Sequence, residues 1–129
     1  MLLHIAPDGL TTRFLNFGRP DMRLGDRIAA KAVLVDESLS NRVGIAHLEC
    51  VVQRRLSGNG LFRCSYLLSL EDGDIILEGL DPRGPGEYTL AVTGGTGAYR
   101  DARGEALFTD TSTGVGAPVT DMVIDLSRN

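Results

Sequence analysis

Short stretches of alternating apolar and polar residues recur along the chain, and none keeps the 3.6-residue period of an amphipathic helix. Clusters of Gly, Pro, Asn and Asp separate these stretches. Because strand side chains point to opposite faces in alternation, this pattern predicts an all-β sandwich or barrel. The predicted strands cover residues 2–6, 13–17, 27–36, 43–55, 61–70, 75–80, 88–93, 105–111 and 119–126. The predicted loops include residues 8–10, 19–24, 82–86 and 112–118.

Three successive predicted strands carry their apolar residues at even-numbered positions. These residues are Ile28, Ala30, Ala32 and Leu34; Ala46, Leu48, Cys50 and Val52; and Phe62, Cys64, Tyr66, Leu68 and Leu70. A two-residue turn at Asn59-Gly60 would pair positions of opposite parity and turn one apolar face outward. We therefore expect a longer odd-numbered loop or a β-bulge, which places Cys50 and Cys64 on one interior surface.

Small side chains at several interior positions predict space inside the barrel. A closed barrel of about eight strands is either filled by side chains or holds one small ligand. The small interior candidates here are Ala30, Ala32, Ala46 and Cys50. The prediction is one domain over residues 1–129, an antiparallel barrel of eight or nine strands that encloses an apolar cavity.

The densest glycine cluster is Gly94-Gly95-Thr96-Gly97, which follows a predicted strand. Three glycines within four residues indicate positive φ or a close backbone approach that a Cβ would block. The cluster lacks the Lys-Ser/Thr of a phosphate-binding loop, and strands rather than a helix surround it. A corner between barrel strands is the better interpretation.

The segment from Leu90 to Gly104, which contains this corner, resembles the signature of the allene oxide cyclase-like and dirigent-like barrel family. Three further segments lie in the order that the family uses, namely 25–28, 42–50 and 73–79. The resemblance covers roughly residues 25–110. It implies a β-barrel that encloses a pocket for a hydrophobic small molecule.

The family comparison also bears on activity. Cys50 falls where plant allene oxide cyclases have an interior cysteine, but Ala32 falls on their asparagine, and two further polar groups of theirs have no counterpart. Allene oxide cyclisation is therefore not expected. Dirigent proteins use acidic residues in the barrel, and the even-numbered face offers no acidic match. Small bacterial barrels that fold polyketide-derived intermediates resemble the chain better in size and apolar lumen.

That comparison implies a cofactor-free cyclase or isomerase, for example one that performs a [4+2] or spirocyclisation. The alternatives are a non-catalytic carrier of a hydrophobic molecule and a dirigent-like auxiliary that steers another enzyme's product. The sequence shows no Ser-His-Asp set, no metal-ligand cluster and no nucleotide cradle. The chemistry is therefore expected to need few protein groups and neither a cofactor nor a metal.

Tyr66 is the first catalytic candidate, because its hydroxyl could hydrogen-bond a substrate carbonyl, although a Tyr that caps the core fits equally. Tyr88 is a second candidate, and Cys50 is a third as a polarising thiol, with a packed small hydrophobe as its alternative. The expected substrate-binding residues are Ala32, Leu48, Phe62, Cys64, Leu68, Phe108, Met122 and His4. For His4, simple exposure near the terminus is the alternative.

Composition and net charge limit the classes of partner that the chain is expected to bind. Hydrophobic residues make up 43% and charged residues 23%, as in ordinary globular proteins. A net charge of −4 without a basic stripe makes nucleic acid and membranes poor partners. No apolar run reaches the roughly 20 residues of a membrane span, and the N-terminus lacks signal-peptide features. We expect a cytoplasmic protein with free thiols, a hydrophobic small-molecule partner and self-association, as a dimer first and a trimer second.

Overall fold

The described residues of this computed structural model include nine β-strands and a 3-10 helix (Gly97–Tyr99). The structure describes residues 1–5, 11–15, 24–38, 41–56, 59–82, 86–110 and 120–127. The strands are β1 (Leu2–Ile5), β2 (Thr11–Leu15), β3 (Arg27–Val35), β4 (Arg42–Leu56), β5 (Asn59–Leu70), β6 (Gly73–Asp81), β7 (Gly86–Gly95), β8 (Arg103–Asp110) and β9 (Thr120–Ser127). The predicted all-β class is confirmed. The loops predicted at 8–10 and 112–118, and most of those at 19–24 and 82–86, lie outside the described residues.

The strands form one antiparallel sheet that closes on itself. Each strand from β3 to β9 pairs with its neighbour in sequence. β1 completes the circle because it pairs with both β9 and β3, with Leu3 opposite Met122 and Ile5 opposite Leu34. Eight strands, β1 and β3–β9, therefore make a closed barrel. β2 pairs with β3 further toward the start of that strand, with Leu15 opposite Arg27.

A β-bulge keeps the inner faces of β4 and β5 aligned, as predicted. Cys50 lies opposite Cys64, and the register shifts between Val52 and Arg54, which leaves Gln53 as the extra residue. Asn59 belongs to β5 and pairs with β4, so Asn59-Gly60 is not the turn. The bulge resolves the parity conflict that a tight turn would create.

The inner face changes to odd-numbered positions in β6. The turn between β5 and β6 contains only Glu71 and Asp72, so that Leu68 pairs with Ile75. Directly paired residues share a face, and an even position therefore faces the same side as an odd one. Ile75 is fully buried in agreement with this register, whereas Leu80 is exposed.

The glycine-rich corner after β7 packs against the turn between β5 and β6. Gly97 has a φ of 60°, and a Cβ there would lie 2.6 Å from the carbonyl oxygen of Asp72. The backbone N–H of Ala98 donates to that same oxygen at 2.9 Å. Tyr99, in the 3-10 helix, is buried. The cluster is therefore a structural corner, as predicted, that requires glycine for close approach.

The direction of the strands defines two ends of the barrel. We call the end at which β3, β5, β7 and β9 begin the lower end, and the end that carries the glycine-rich corner the upper end. Hydrophobic side chains from every strand of the closed barrel meet inside it. Within the described segments, no helix is both long enough and apolar enough to cross a membrane.

Candidate functional site

The residues singled out from the sequence lie, with one exception, on the inner face of the barrel. Their strand partners confirm the shared face: Leu48 lies opposite Tyr66, and Tyr88 opposite Phe108. The inner-face residues of this set are Ala32, Leu48, Cys50, Phe62, Cys64, Tyr66, Leu68, Tyr88, Phe108 and Met122. Alternation therefore located correctly the members of this set that lie on β3, β4 and β5.

The exception is His4. The buried residues of β1 are Leu3 and Ile5, so His4 points to the outer face. There its Nδ1 lies 2.5 Å from Oδ1 of Asp121, which is directly opposite on β9. The expectation that His4 binds substrate in the lumen is wrong, because β1 presents its odd-numbered positions to the interior.

Three aromatic rings meet across the middle of the barrel. The ring centroids of Tyr66 on β5 and Phe108 on β8 are 5.1 Å apart, with planes inclined by 52°. Tyr88 on β7 stacks on Phe108, with the two ring centroids 5.0 Å apart and the ring planes inclined by 10°. These contacts connect nearly opposite walls and divide the lumen into two parts.

The centre of the lumen, around the aromatic contacts, is filled by side chains. Ala32, Leu68, Phe108 and Met122 have no surface accessible to solvent. A ligand can contact such residues only if the core rearranges, because protein interiors are close-packed. In this structure these four residues therefore act as core, and the predicted cavity does not extend through the whole barrel.

Below the aromatic contacts the lumen is incompletely filled. Ala30 and Leu48 face inward and lie opposite each other on β3 and β4, yet both are only partly buried. Tyr88 is also partly buried. Inward-facing side chains that a water-sized sphere can touch mark unfilled space. We call this region, lined by Ala30, Leu48 and Tyr88 and bounded by the buried Tyr66 and the Cys50–Cys64 pair, the lower lumen.

Two carboxylates lie at the lower end of the barrel, although no acidic residue was expected on the inner face. Asp26 directly precedes β3, and its carbonyl oxygen accepts a hydrogen bond of 2.8 Å from Val52 N–H. It is 5% exposed and is the one buried charged residue of the described segments. Asp81 lies opposite Phe62 and continues the inward parity of β6.

Of these two carboxylates, only that of Asp26 had a signal in the sequence. Asp26 is at an even-numbered position, like Ile28, and lies one residue before the predicted strand. Asp81 was hidden because the apolar run Ile75-Ile76-Leu77 does not reveal which parity faces inward. The expectation that the inner face carries no acidic residue is therefore wrong at this end of the barrel.

Cys50 and Cys64 form a disulfide across β4 and β5, with their Cα atoms 4.1 Å apart. The expectation of free thiols is wrong for this structure. Direct opposition on the same face brings the two side chains within bonding reach. Cys50 therefore has no thiol to polarise a substrate, and its predicted catalytic role is corrected to that of a wall residue.

A groove of about 980 Å³ lies at the upper mouth of the barrel, and inward-facing Leu3 and Leu70 are among the residues that line it. Glu37, Glu71 and Asp72 line it from two neighbouring turns, and buried Tyr99 lies between it and the core. None of the predicted catalytic or substrate-binding residues lines this groove. We place the candidate site in the lower lumen instead, because there an apolar wall converges with phenols and a carboxylate.

The lower lumen can enclose an apolar molecule and offer it a few polar groups. The phenols of Tyr66 and Tyr88 can donate hydrogen bonds to a carbonyl oxygen. The carboxylate of Asp81 can accept a proton or stabilise a developing positive charge. This combination suits reactions in which shape and one proton transfer or hydrogen bond suffice.

No protein-family model and no curated protein matches the sequence. Solved structures do match. A pyocyanin demethylase superposes with a TM-score of 0.78 at 25% identity, over 97% of this chain and 98% of that one. A pterocarpan synthase dirigent protein gives 0.77 at 17% identity, over 99% and 93%. An exo-specific intermolecular Diels-Alderase gives 0.69 at 20% identity, over 96% of each chain. The chain has the barrel fold of dirigent proteins and these cyclases, as the sequence resemblance predicted.

Proposed function

We propose that this protein is a cyclase- or dirigent-like barrel that binds a hydrophobic small molecule in the lower lumen and directs its cyclisation or isomerisation. One observation carries the proposal. Accessible apolar surface at Ala30 and Leu48 lies inside the barrel, directly beside the phenol-bearing Tyr66. A pocket of this kind, apolar with few convergent polar groups, is the usual form of a small-molecule site.

Confinement is the main source of rate in this proposal. The aromatic contacts among Tyr66, Phe108 and Tyr88 form a rigid wall at the inner end of the site. A flexible substrate that folds against this wall keeps its reacting ends together. Orientation of this kind supplies up to about 7–11 kcal/mol of a barrier. We propose a polyketide-derived intermediate as substrate and a [4+2] or spirocyclisation as the reaction.

Polar groups then choose among the accessible products. A hydrogen bond from a tyrosine hydroxyl to a substrate carbonyl stabilises the electron density that develops there in a cycloaddition. Asp81 lies on the same inner face, toward the lower end, and provides a proton acceptor for an isomerisation. The reaction that we propose needs no cofactor, since bonds are exchanged within one molecule.

Demethylation of an aromatic compound is a second candidate. Its support is the similarity to pyocyanin demethylase at 25% identity over nearly the whole chain. The aromatic wall of the lower lumen suits a flat ring system as well as a folded polyene. A carrier or a dirigent-like auxiliary would use the same pocket without turnover of its own.

Product mass separates these functions. The purified protein is incubated with a linear polyene that carries a diene and an activated alkene, and separately with an N-methylated aromatic heterocycle. The proposal predicts a product of unchanged mass and shorter retention from the polyene, formed more slowly by Tyr66→Phe. Demethylation would instead release formaldehyde, because water takes up the methyl carbon while the electron-poor heterocycle accepts the two electrons, and the heterocycle would be lighter by one methylene unit after reoxidation in air. Binding of both compounds without any product would overturn catalysis and leave the carrier.

A further inference from the structure

The wall of the lower lumen contains a covalent bond that a reductant can open. Cys50 and Cys64 are 4% and 1% exposed and lie on the inner face. The neighbouring pair on the same two strands is Leu48 and Tyr66, which belongs to the proposed site. The disulfide, itself almost wholly buried, therefore lies directly beside the accessible part of the proposed site.

We propose that this disulfide sets the affinity of the lower lumen for its ligand, and that its reduction weakens binding. The inference rests on the proposed function of the lumen. Reduction consumes two electrons and two protons and converts one S–S bond into two S–H groups. A small dithiol supplies both, and it is itself oxidised to a cyclic disulfide.

Reduction increases the space that the two sulfur atoms need. Bonded sulfur atoms lie about 2 Å apart, whereas non-bonded heavy atoms separate to roughly 3.5–4 Å. The sulfur atoms cannot move sideways toward the adjacent strands. Ile28, which is paired with Cys50, is 4% exposed, and Leu90, which lies beside Gly79, the partner of Cys64, is 1% exposed. The accessible space in reach is that in front of Ala30 and Leu48.

The thiols therefore move into the volume that the ligand would occupy. They also add two weakly polar S–H groups to an apolar wall. Crowding of a well-packed surface by groups of this size is expected to raise the dissociation constant by roughly tenfold. We expect the barrel itself to stay closed, because backbone pairing of eight strands holds it in addition to this bond.

The test measures binding of N-phenyl-1-naphthylamine, a neutral fluorescent probe, before and after reduction with dithiothreitol. Mass spectrometry after alkylation counts the thiols, and circular dichroism checks the fold. We expect weaker binding by roughly tenfold after reduction and recovery after reoxidation. The double variant Cys50→Ala/Cys64→Ala lacks the bulky sulfurs and should bind with an affinity that does not respond to the reductant.

A second double variant, compared with the double alanine variant, tests the inference even if reduction unfolds the barrel. Cys50→Val/Cys64→Val places two unbonded, larger groups at the same positions and should bind more weakly than the double alanine variant. Equal affinity of these two variants, or of the oxidised and fully reduced protein, would overturn the inference alone. If the probe binds in neither redox state, the proposed function of the lumen fails.

Discussion

Tyr88 and Phe108 stack almost in parallel inside the barrel, with ring centroids 5.0 Å apart and planes inclined by 10°. They lie directly opposite each other on β7 and β8, so the strand register itself holds the stack. Phe108 is fully buried, whereas Tyr88 is partly exposed. The stack therefore extends from the filled core into the accessible lower lumen, and the same two rings belong to both the core and the candidate site.

Removal of the buried ring should destabilise the barrel strongly. Phe108→Ala loses the contacts with both tyrosines and leaves a cavity, at an expected cost of about 3–5 kcal/mol in the free energy of unfolding. Leu80→Ala is the control, because Leu80 is 51% exposed on the outer face. Urea unfolding measures both variants. Equal losses in the two would contradict the assignment of Phe108 to the central core.

The glycine-rich corner offers a matched pair of substitutions. A Cβ at Gly97 would meet the carbonyl oxygen of Asp72 in a backbone of positive φ, so Gly97→Ala should cost roughly 1–3 kcal/mol. At Gly94 the nearest atom would be 3.9 Å away, and Gly94→Ala should change stability by less than about 0.5 kcal/mol. Thermal unfolding distinguishes them. A corner that tolerates both substitutions equally would not be braced as described.

Asp81 should matter for turnover if the lower lumen is catalytic. Asp81→Asn keeps the size of the side chain but removes its proton-accepting charge, and we expect a loss of about 10²–10⁴-fold in rate for an isomerisation. Glu105→Gln makes the same chemical change on an exposed part of β8 and should leave the rate unchanged. Steady-state kinetics on a converted polyene gives the answer. If Asp81→Asn kept the wild-type rate, the carboxylate of Asp81 would have no role in the mechanism.

Much of the barrel could be predicted from alternation alone. The even-numbered faces of β3, β4 and β5 and the need for a bulge before Cys64 follow from parity, and the structure confirms them. The inward position of Asp81 could not be predicted in the same way, because it depends on a two-residue turn that reverses parity. His4 was misplaced because four residues of β1 are too few to show their phase.

The division of the lumen was also beyond the sequence. Ala32 and Ala30 have the same residue type and the same parity, yet Ala32 is fully buried and Ala30 is partly exposed. The difference depends on which side chains reach each alanine from strands far away in sequence. The disulfide likewise depends on direct opposition of Cys50 and Cys64, which a shift of register by one residue would abolish.

Self-association remains a prediction, and the outer wall suggests where to test it. Leu107 and Val123 are directly paired on β8 and β9 and are 38% and 46% exposed. If a second copy of the chain covers them, light scattering should give the mass of a dimer. The double variant Leu107→Lys/Val123→Lys should then give the mass of one chain. A dimer that persists in this variant would place the contact elsewhere.

Binding of a small apolar molecule in the lower lumen is the central claim, and a titration with N-phenyl-1-naphthylamine tests it most directly. Ala30→Phe fills the space beside Leu48, whereas Ala91→Phe adds the same ring to the exposed outer face of β7. We predict saturable binding of one probe to the wild type and to Ala91→Phe, and at least about tenfold weaker binding to folded Ala30→Phe. Unchanged binding in folded Ala30→Phe would contradict a site in the lower lumen.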